Sequence, residues 1–94
     1  MATSNDVIVM YGTAWCSDCT RSKRVFATHE IEYKYIDIDV QEWAADEVVK
    51  LNGGNKSVPT IVFPDGTVLV EPSDQDLETK LGVGRVMLSK LSFP

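Results

Sequence analysis

Two cysteines stand three residues apart in Trp15-Cys16-Ser17-Asp18-Cys19, and they are the only thiols in the chain. A thiol is nucleophilic in its thiolate form, and two thiols at this spacing on one helical turn can reach each other to form a disulfide. The surrounding residues change pattern at the right place. Val7-Ile8-Val9-Met10-Tyr11 is an unbroken run of branched, apolar and aromatic residues, as in a strand buried on both faces. Gly12-Thr13-Ala14 reads as a short turn, and no Pro or Gly interrupts the chain from Ser17 to His29. Cys16 would then face the unpaired N–H groups of a new helix, where the dipole favours negative charge. Cys16 is the candidate nucleophile, and Cys19, on the same side of the first turn, is its candidate partner.

Two other uses of a cysteine pair fit poorly. A disulfide closing so short a loop removes almost no unfolded-state entropy, so a structural staple gains little. A zinc site needs four ligands, and the single histidine, His29, lies far along the same helix. His29 reads as a helix C-terminal residue without a catalytic role, and no metal site is expected. Redox chemistry remains.

The elements that must position these thiols follow in order. A strand at about residues 6–11 leads to a helix at about 17–29. That helix has Ser22, Val25, Phe26 and His29 on one side and Thr20, Arg21, Arg24 and Thr28 on the other. Tyr33-Lys34-Tyr35-Ile36-Asp37-Ile38 alternates as a second, less buried strand. Asp39 and Glu42 have the spacing of a capping box. Val40, Trp43, Ala44, Val48 and Leu51 make an apolar stripe, which assigns Trp43 to the core, and Asn52-Gly53-Gly54-Asn55 ends the helix. Val58-Pro59-Thr60-Ile61-Val62-Phe63, the turn Pro64-Asp65-Gly66 and Thr67-Val68-Leu69-Val70 predict a hairpin, with Pro59 opening its strand. Pro72-Ser73-Asp74 with Asp76 starts a last helix with Leu77 and Leu81 inward, and Leu88 and Leu91 suggest that an apolar face resumes after Gly84. The order β-α-β-α-β-β-α predicts an α/β fold: a four-stranded mixed sheet between helices, a three-layer sandwich.

Length and charge set outer limits. Ninety-four residues predict one domain spanning 1–94, with a modest core burying somewhat over 60% of the unfolded surface. A formal net charge of −5 argues against nucleic-acid or anionic-membrane partners. Met1 to Asp6 shows neither a basic segment nor an apolar leader, and no run approaches membrane-spanning length, so the cytoplasm is the expected location. In that reducing compartment a close cysteine pair is more often catalytic than structural.

The element order, the Trp15–Cys19 motif and Val58-Pro59-Thr60 together resemble the glutaredoxin branch of the thioredoxin fold, over roughly residues 6–82. Asn52 to Thr60, with Phe63, Asp65-Gly66 and Pro72-Ser73, looks most like the actinobacterial mycoredoxins, which use mycothiol in place of glutathione. The resemblance implies a nucleophilic Cys16, a resolving Cys19 and a cis Pro59, with the Val58 backbone free to pair with a substrate strand. It implies that Ser73 and Asp74 hold the small thiol, although they read equally well as a plain N-cap. Trp15 is expected to stay partly exposed as a partner contact. Two departures stand out: Ser17-Asp18 replaces the usual Pro-Tyr, and Glu71-Pro72 replaces the Gly-Gly that usually precedes the last helix.

The implied activity is thiol–disulfide exchange on protein disulfides, or on protein mixed disulfides with a low-molecular-weight thiol, mycothiol or glutathione, as co-substrate. Partners would be oxidised or thiolated client proteins, and the protein would be a monomer with no tightly bound cofactor. One alternative is a thioredoxin-like dithiol donor reduced by a flavoprotein reductase. The other is a carrier in which Cys16 of two chains and two small thiols hold an iron–sulfur cluster. Asp18 complements the helix dipole but opposes a neighbouring thiolate, and Arg21 or Lys23 would relieve this only by folding back. Exposed side chains are screened and mobile, so Asp18 is expected to prevail and to tune the protein toward reducing its substrates.

Overall fold

A computed structural model describes residues 7–83. The elements are β1 (Ile8–Gly12), α1 (Ser17–Thr28), β2 (Tyr33–Asp37), α2 (Glu42–Leu51), β3 (Thr60–Val62), β4 (Val68–Val70) and α3 (Asp74–Leu81). This is the order the sequence predicts. Asp6 and the resumed apolar face with Leu88 and Leu91 lie outside the described residues.

The sheet has strand order β2-β1-β3-β4, with β1 parallel to β2 and antiparallel to β3, and β3 antiparallel to β4. Because β1 is interior and both sheet faces are covered, it needs apolar side chains at every position, which is why it reads as a continuous run. Met10 points to one layer, where it packs with Phe26, Ile61, Leu77 and both cysteines. Tyr11 points to the other, with Ile36, Ile38, Ala44 and Val48. Helices α1 and α3 share the first layer, and His29, the C-cap of α1, meets the Glu78 carboxylate at 3.1 Å.

The start of α2 differs from the sequence reading. Its N-cap is Gln41, in extended conformation and without a side-chain cap bond. Asp39 forms no capping box, since its carboxylate instead accepts the Trp15 indole N–H at 2.8 Å. Ala44 and Val48, four residues apart, face the sheet, and Trp43 is turned about 100° from Ala44 around the helix. Trp43 is 55% exposed and Val40 74% exposed, so neither belongs to the core.

The hairpin turns at Gly66, whose φ of +90° suits glycine. Lys80 Nζ reaches back to Asp65 at 2.6 Å, tying the turn to α3 and holding the Asp65 carboxyl well below the usual carboxylate range. At the other end of β4, Glu71 takes a φ of +50° and donates its N–H to the Pro59 carbonyl at 2.8 Å. A glutamate thus occupies left-handed backbone that a glycine would enter more easily.

The two layers predict unequal costs of truncation. Leu77, at 0% exposure, is the buried anchor of α3, so Leu77→Ala should cost roughly 2–5 kcal/mol in urea unfolding. Trp43→Ala should cost less than about 1 kcal/mol; a core-sized loss there would return Trp43 to the interior.

Candidate functional site

The turn after β1 delivers Cys16 as the N-cap of α1, with φ −85° and ψ 116°. Its sulfur accepts the Cys19 backbone N–H at 3.1 Å, the place an N-cap oxygen would take. Across 42 residues of sequence, the Val58 carbonyl lies 3.8 Å from the same sulfur, and the Val58–Pro59 bond is cis. Strand β3 begins one residue after Pro59. The loop is fastened from below: the Thr60 hydroxyl donates to Ser57 O at 2.7 Å and accepts from Asn52 Nδ2 at 3.0 Å.

The two thiols differ in access. Cys16 is 8% exposed and Cys19 only 1%, and both are free. Burial pushes the Cys19 thiol up to about 12, reinforced by its hydrogen bond with Cys16; a Thr13 backbone bond and the Lys23 charge pull weakly the other way. Cys19 is a protonated reserve at neutral pH.

Beneath Cys19 lies Gly12, the last residue of β1. A Cβ at Gly12 would stand 2.8 Å from Cys19 Sγ and 3.2 Å from the Tyr35 ring. The Lys23 ammonium sits 3.7 Å over that ring, so Lys23 turns under the site instead of toward Asp18. Burial, followed by the charge of Asp37, pushes the Tyr35 phenol up to about 12.

Arg21 does fold back. Its Nη1 meets Asp18 at 2.9 Å while its Nε meets Asp74 at 3.1 Å, so one guanidinium joins the inter-cysteine segment to the first residue of α3. Ser73 is the N-cap of α3, its hydroxyl accepting the Asp76 N–H at 3.0 Å. Trp15 is 74% exposed at the outer rim. The structure therefore gathers Cys16, Cys19, Val58 and Pro59 directly, adds Asp18 and Asp74 through Arg21, and leaves Ser73 engaged in capping. Sequence reasoning missed Gly12, read as a turn residue, and the Asp39 contact to Trp15. A glycine ending a buried strand just ahead of a cysteine pair was the available signal for the first.

A mixed four-stranded sheet with a cysteine pair at the head of its first helix defines a thioredoxin-fold disulfide oxidoreductase. The family model Glutaredoxin matches residues 8–69. A candidate glutaredoxin of Mycobacterium tuberculosis is 39% identical over 74 residues, 79% of this chain and 88% of that protein. Mycoredoxin 1 of Corynebacterium glutamicum is 32% identical over 74 residues, 79% of this chain and 91% of its own length. Among solved structures, the glutaredoxin of Methanosarcina mazei superposes with a TM-score of 0.69 at 24% identity, over 84% of this chain and 81% of that one. The chain belongs to the glutaredoxin family. It is a thiol–disulfide oxidoreductase, with a small thiol as co-substrate and client proteins as partners. Among the described residues no helix is long and apolar enough to cross a membrane, and no group of His, Cys, Asp and Glu is placed to hold a metal.

Two outcomes follow from the crowding around Cys19. Gly12→Ala should destabilise the fold by about 1–3 kcal/mol in urea unfolding, and pairing it with Cys19→Ala should recover part of that loss. An undiminished cost in the double variant would place the strain elsewhere. Iodoacetamide at pH 8 should label the native protein at Cys16 alone, with Cys19 labelled only after unfolding, as peptide mass mapping would report. The linked stability has a definite sign. The folded chain keeps a Cys19 proton that the unfolded chain releases near 9.0, so this contribution is complete at neutral pH and is lost as pH rises toward about 12.

Proposed function

We propose that the protein reduces client proteins held in mixed disulfides with a small thiol, that Cys16 is the nucleophile, and that mycothiol is preferred. The carrying observation is the position of Cys16 Sγ, which accepts the first-turn N–H of Cys19 beside the Val58 carbonyl. The Cys16 thiolate attacks the small-thiol sulfur of the mixed disulfide, and the client leaves as a thiolate. A second small thiol then attacks the Cys16 mixed disulfide, releasing the Cys16 thiolate and a symmetrical small disulfide. On a protein disulfide, Cys19 gives up its proton and attacks instead, closing Cys16–Cys19 as the second client sulfur departs.

Trp15 and the Val58–Pro59 backbone serve as client contacts in this reading, and Ser73 and Asp74 border the small thiol. The preference for mycothiol is supported by charge. Arg21, the cation bridging both sides of the site, is already shared by the Asp18 and Asp74 carboxylates. A glutathione carboxylate would have to compete for it, whereas mycothiol, a sugar-based thiol, brings no carboxylate. Asp18, neutralised by Arg21, modulates the thiolate as part of an ion pair. A monomer working in the cytoplasm suits this role.

The test uses a peptide–mycothiol mixed disulfide with mycothiol, glutathione or a thioredoxin reductase as the reducing arm. Cys19→Ser should turn over with mycothiol and about tenfold more slowly with glutathione, while Cys16→Ser should be inactive. Turnover by Cys16→Ser would overturn the assignment of the nucleophile, and equal rates with both thiols would overturn the preference. A protein that works only with the reductase, and only with both cysteines, is instead a dithiol donor.

A further inference from the structure

Beside the site is a surface of which the exchange chemistry uses only the Trp15 edge. Trp15, Val40 and Trp43 are 74%, 74% and 55% exposed, and among the described residues they are three of the five exposed large apolar side chains. They belong to one neighbourhood. The Trp15 indole is bonded to Asp39, Val40 is the next residue, and the Trp43 indole is bonded to Gln41 Oε1 at 3.1 Å in the same turn. Trp43 lies on the outer side of α2, whose inner side is fixed by Ala44 and Val48. Isolated exposed apolar residues are ordinary on a protein surface, but two tryptophans and a valine grouped at an active-site edge mark a contact surface.

The charge along the Asp37–Glu47 segment is of one sign. From Asp37 to Glu47 the chain carries Asp37, Asp39, Glu42, Asp46 and Glu47 and no Lys or Arg. Asp39, Glu42 and Asp46 are exposed. Asp46 and Glu47 follow Trp43 at the i+3 and i+4 positions of α2, and are therefore its neighbours on the helix surface. Indole faces attract ammonium and guanidinium groups, and carboxylates nearby strengthen the attraction.

We propose that this apolar and acidic surface is the docking site for client polypeptide carrying Lys or Arg within a few residues of its disulfide-bonded cysteine. The inference rests on the exchange reaction proposed above. That reaction brings the disulfide of the client to Cys16, next in sequence to Trp15. A client strand that leaves Cys16 over Trp15 reaches the Asp39–Val40 segment, to which the Trp15 indole is bonded, and Trp43 follows in the same acidic stretch. Small disulfides reach Cys16 without touching this surface. Docking therefore sets which proteins are reduced quickly and leaves the chemical step unaltered.

The experiment compares two peptides of equal length whose single cysteine, in a mixed disulfide with 2-mercaptoethanol, has three Lys or three Glu placed three to five residues away. Single-turnover rates of the pre-reduced protein are measured at low and high salt. Each is divided by the rate of dithiothreitol with the same peptide, which removes the effect of flanking charge on the leaving thiol. Bis(2-hydroxyethyl) disulfide is the small control, and its failure to react would count against the exchange reading itself. The Lys peptide should react about tenfold faster than the Glu peptide at low salt, and the ratio should approach one at 0.5 M NaCl. Trp43→Ala, Val40→Ser and the double variant Glu42→Gln/Asp46→Asn should each lower the Lys-peptide rate several-fold, with the control disulfide within about twofold of wild type. A wild-type ratio near one, or equal losses on peptide and control, would overturn the proposal. So would a dimer in sedimentation equilibrium that Trp43→Ala dissociates, since the surface would then belong to a second copy.

Discussion

The structure depends on one hydrogen bond, from the Cys19 backbone N–H to the Cys16 sulfur at 3.1 Å. A helix must find acceptors for the N–H groups of its first turn, and serine, threonine or aspartate oxygens usually provide them. Here a sulfur takes that place. The interaction that begins α1 therefore rests on the same atom that is proposed to attack the disulfide. The start of the helix and the proposed chemistry thus share one residue.

Keeping the sulfur there requires the chain to arrive from a rigid direction and leave room behind it. Strand β1, paired on both sides and covered on both faces, supplies the direction. Gly12 supplies the room, because any side chain there would meet Cys19 Sγ. From the far side, the Ser57–Thr60 loop is held by Asn52 and Thr60, so the Val58 carbonyl faces the sulfur from a fixed support. Two parts of the chain, remote in sequence, thus converge on the cysteine pair. The charged residues act around this frame: Arg21 ties Asp18 to Asp74 without entering the core.

Much of this was legible because local pattern and tertiary role agree. The apolar run of β1, the uninterrupted α1, the Pro-Asp-Gly turn and the Ser73 cap each carry a signal confined to a few residues, and each appears where that signal put it. The failures arise where one residue had two possible partners. Asp39 and Glu42 match a helix-start spacing, but the Asp39 carboxylate is taken by the Trp15 indole, 24 residues earlier in the chain. With the cap moved to Gln41, the apolar stripe loses Val40 and Trp43 to solvent. For Arg21 the sequence offered folding back toward Asp18, which the i+3 spacing allows, but its second partner, Asp74, is 53 positions away and had no local signal. The positive φ of Glu71 had no local signal either, because glutamate is not a residue that announces left-handed backbone.

The burial of Cys19 also bears on how the site survives oxidative damage. A sulfur at 1% exposure, held protonated by its surroundings, is out of reach of peroxide as well as of substrates. Damage therefore begins at Cys16. A sulfenic acid formed there has an unspent thiol one helical turn away, and condensing with it yields a disulfide and water before further oxygen can be added. The first step on the oxidation ladder then leads to the disulfide of the proposed dithiol route and away from the irreversible sulfinic state. Hiding one sulfur more deeply thus gives the other a route of repair within the same turn of helix.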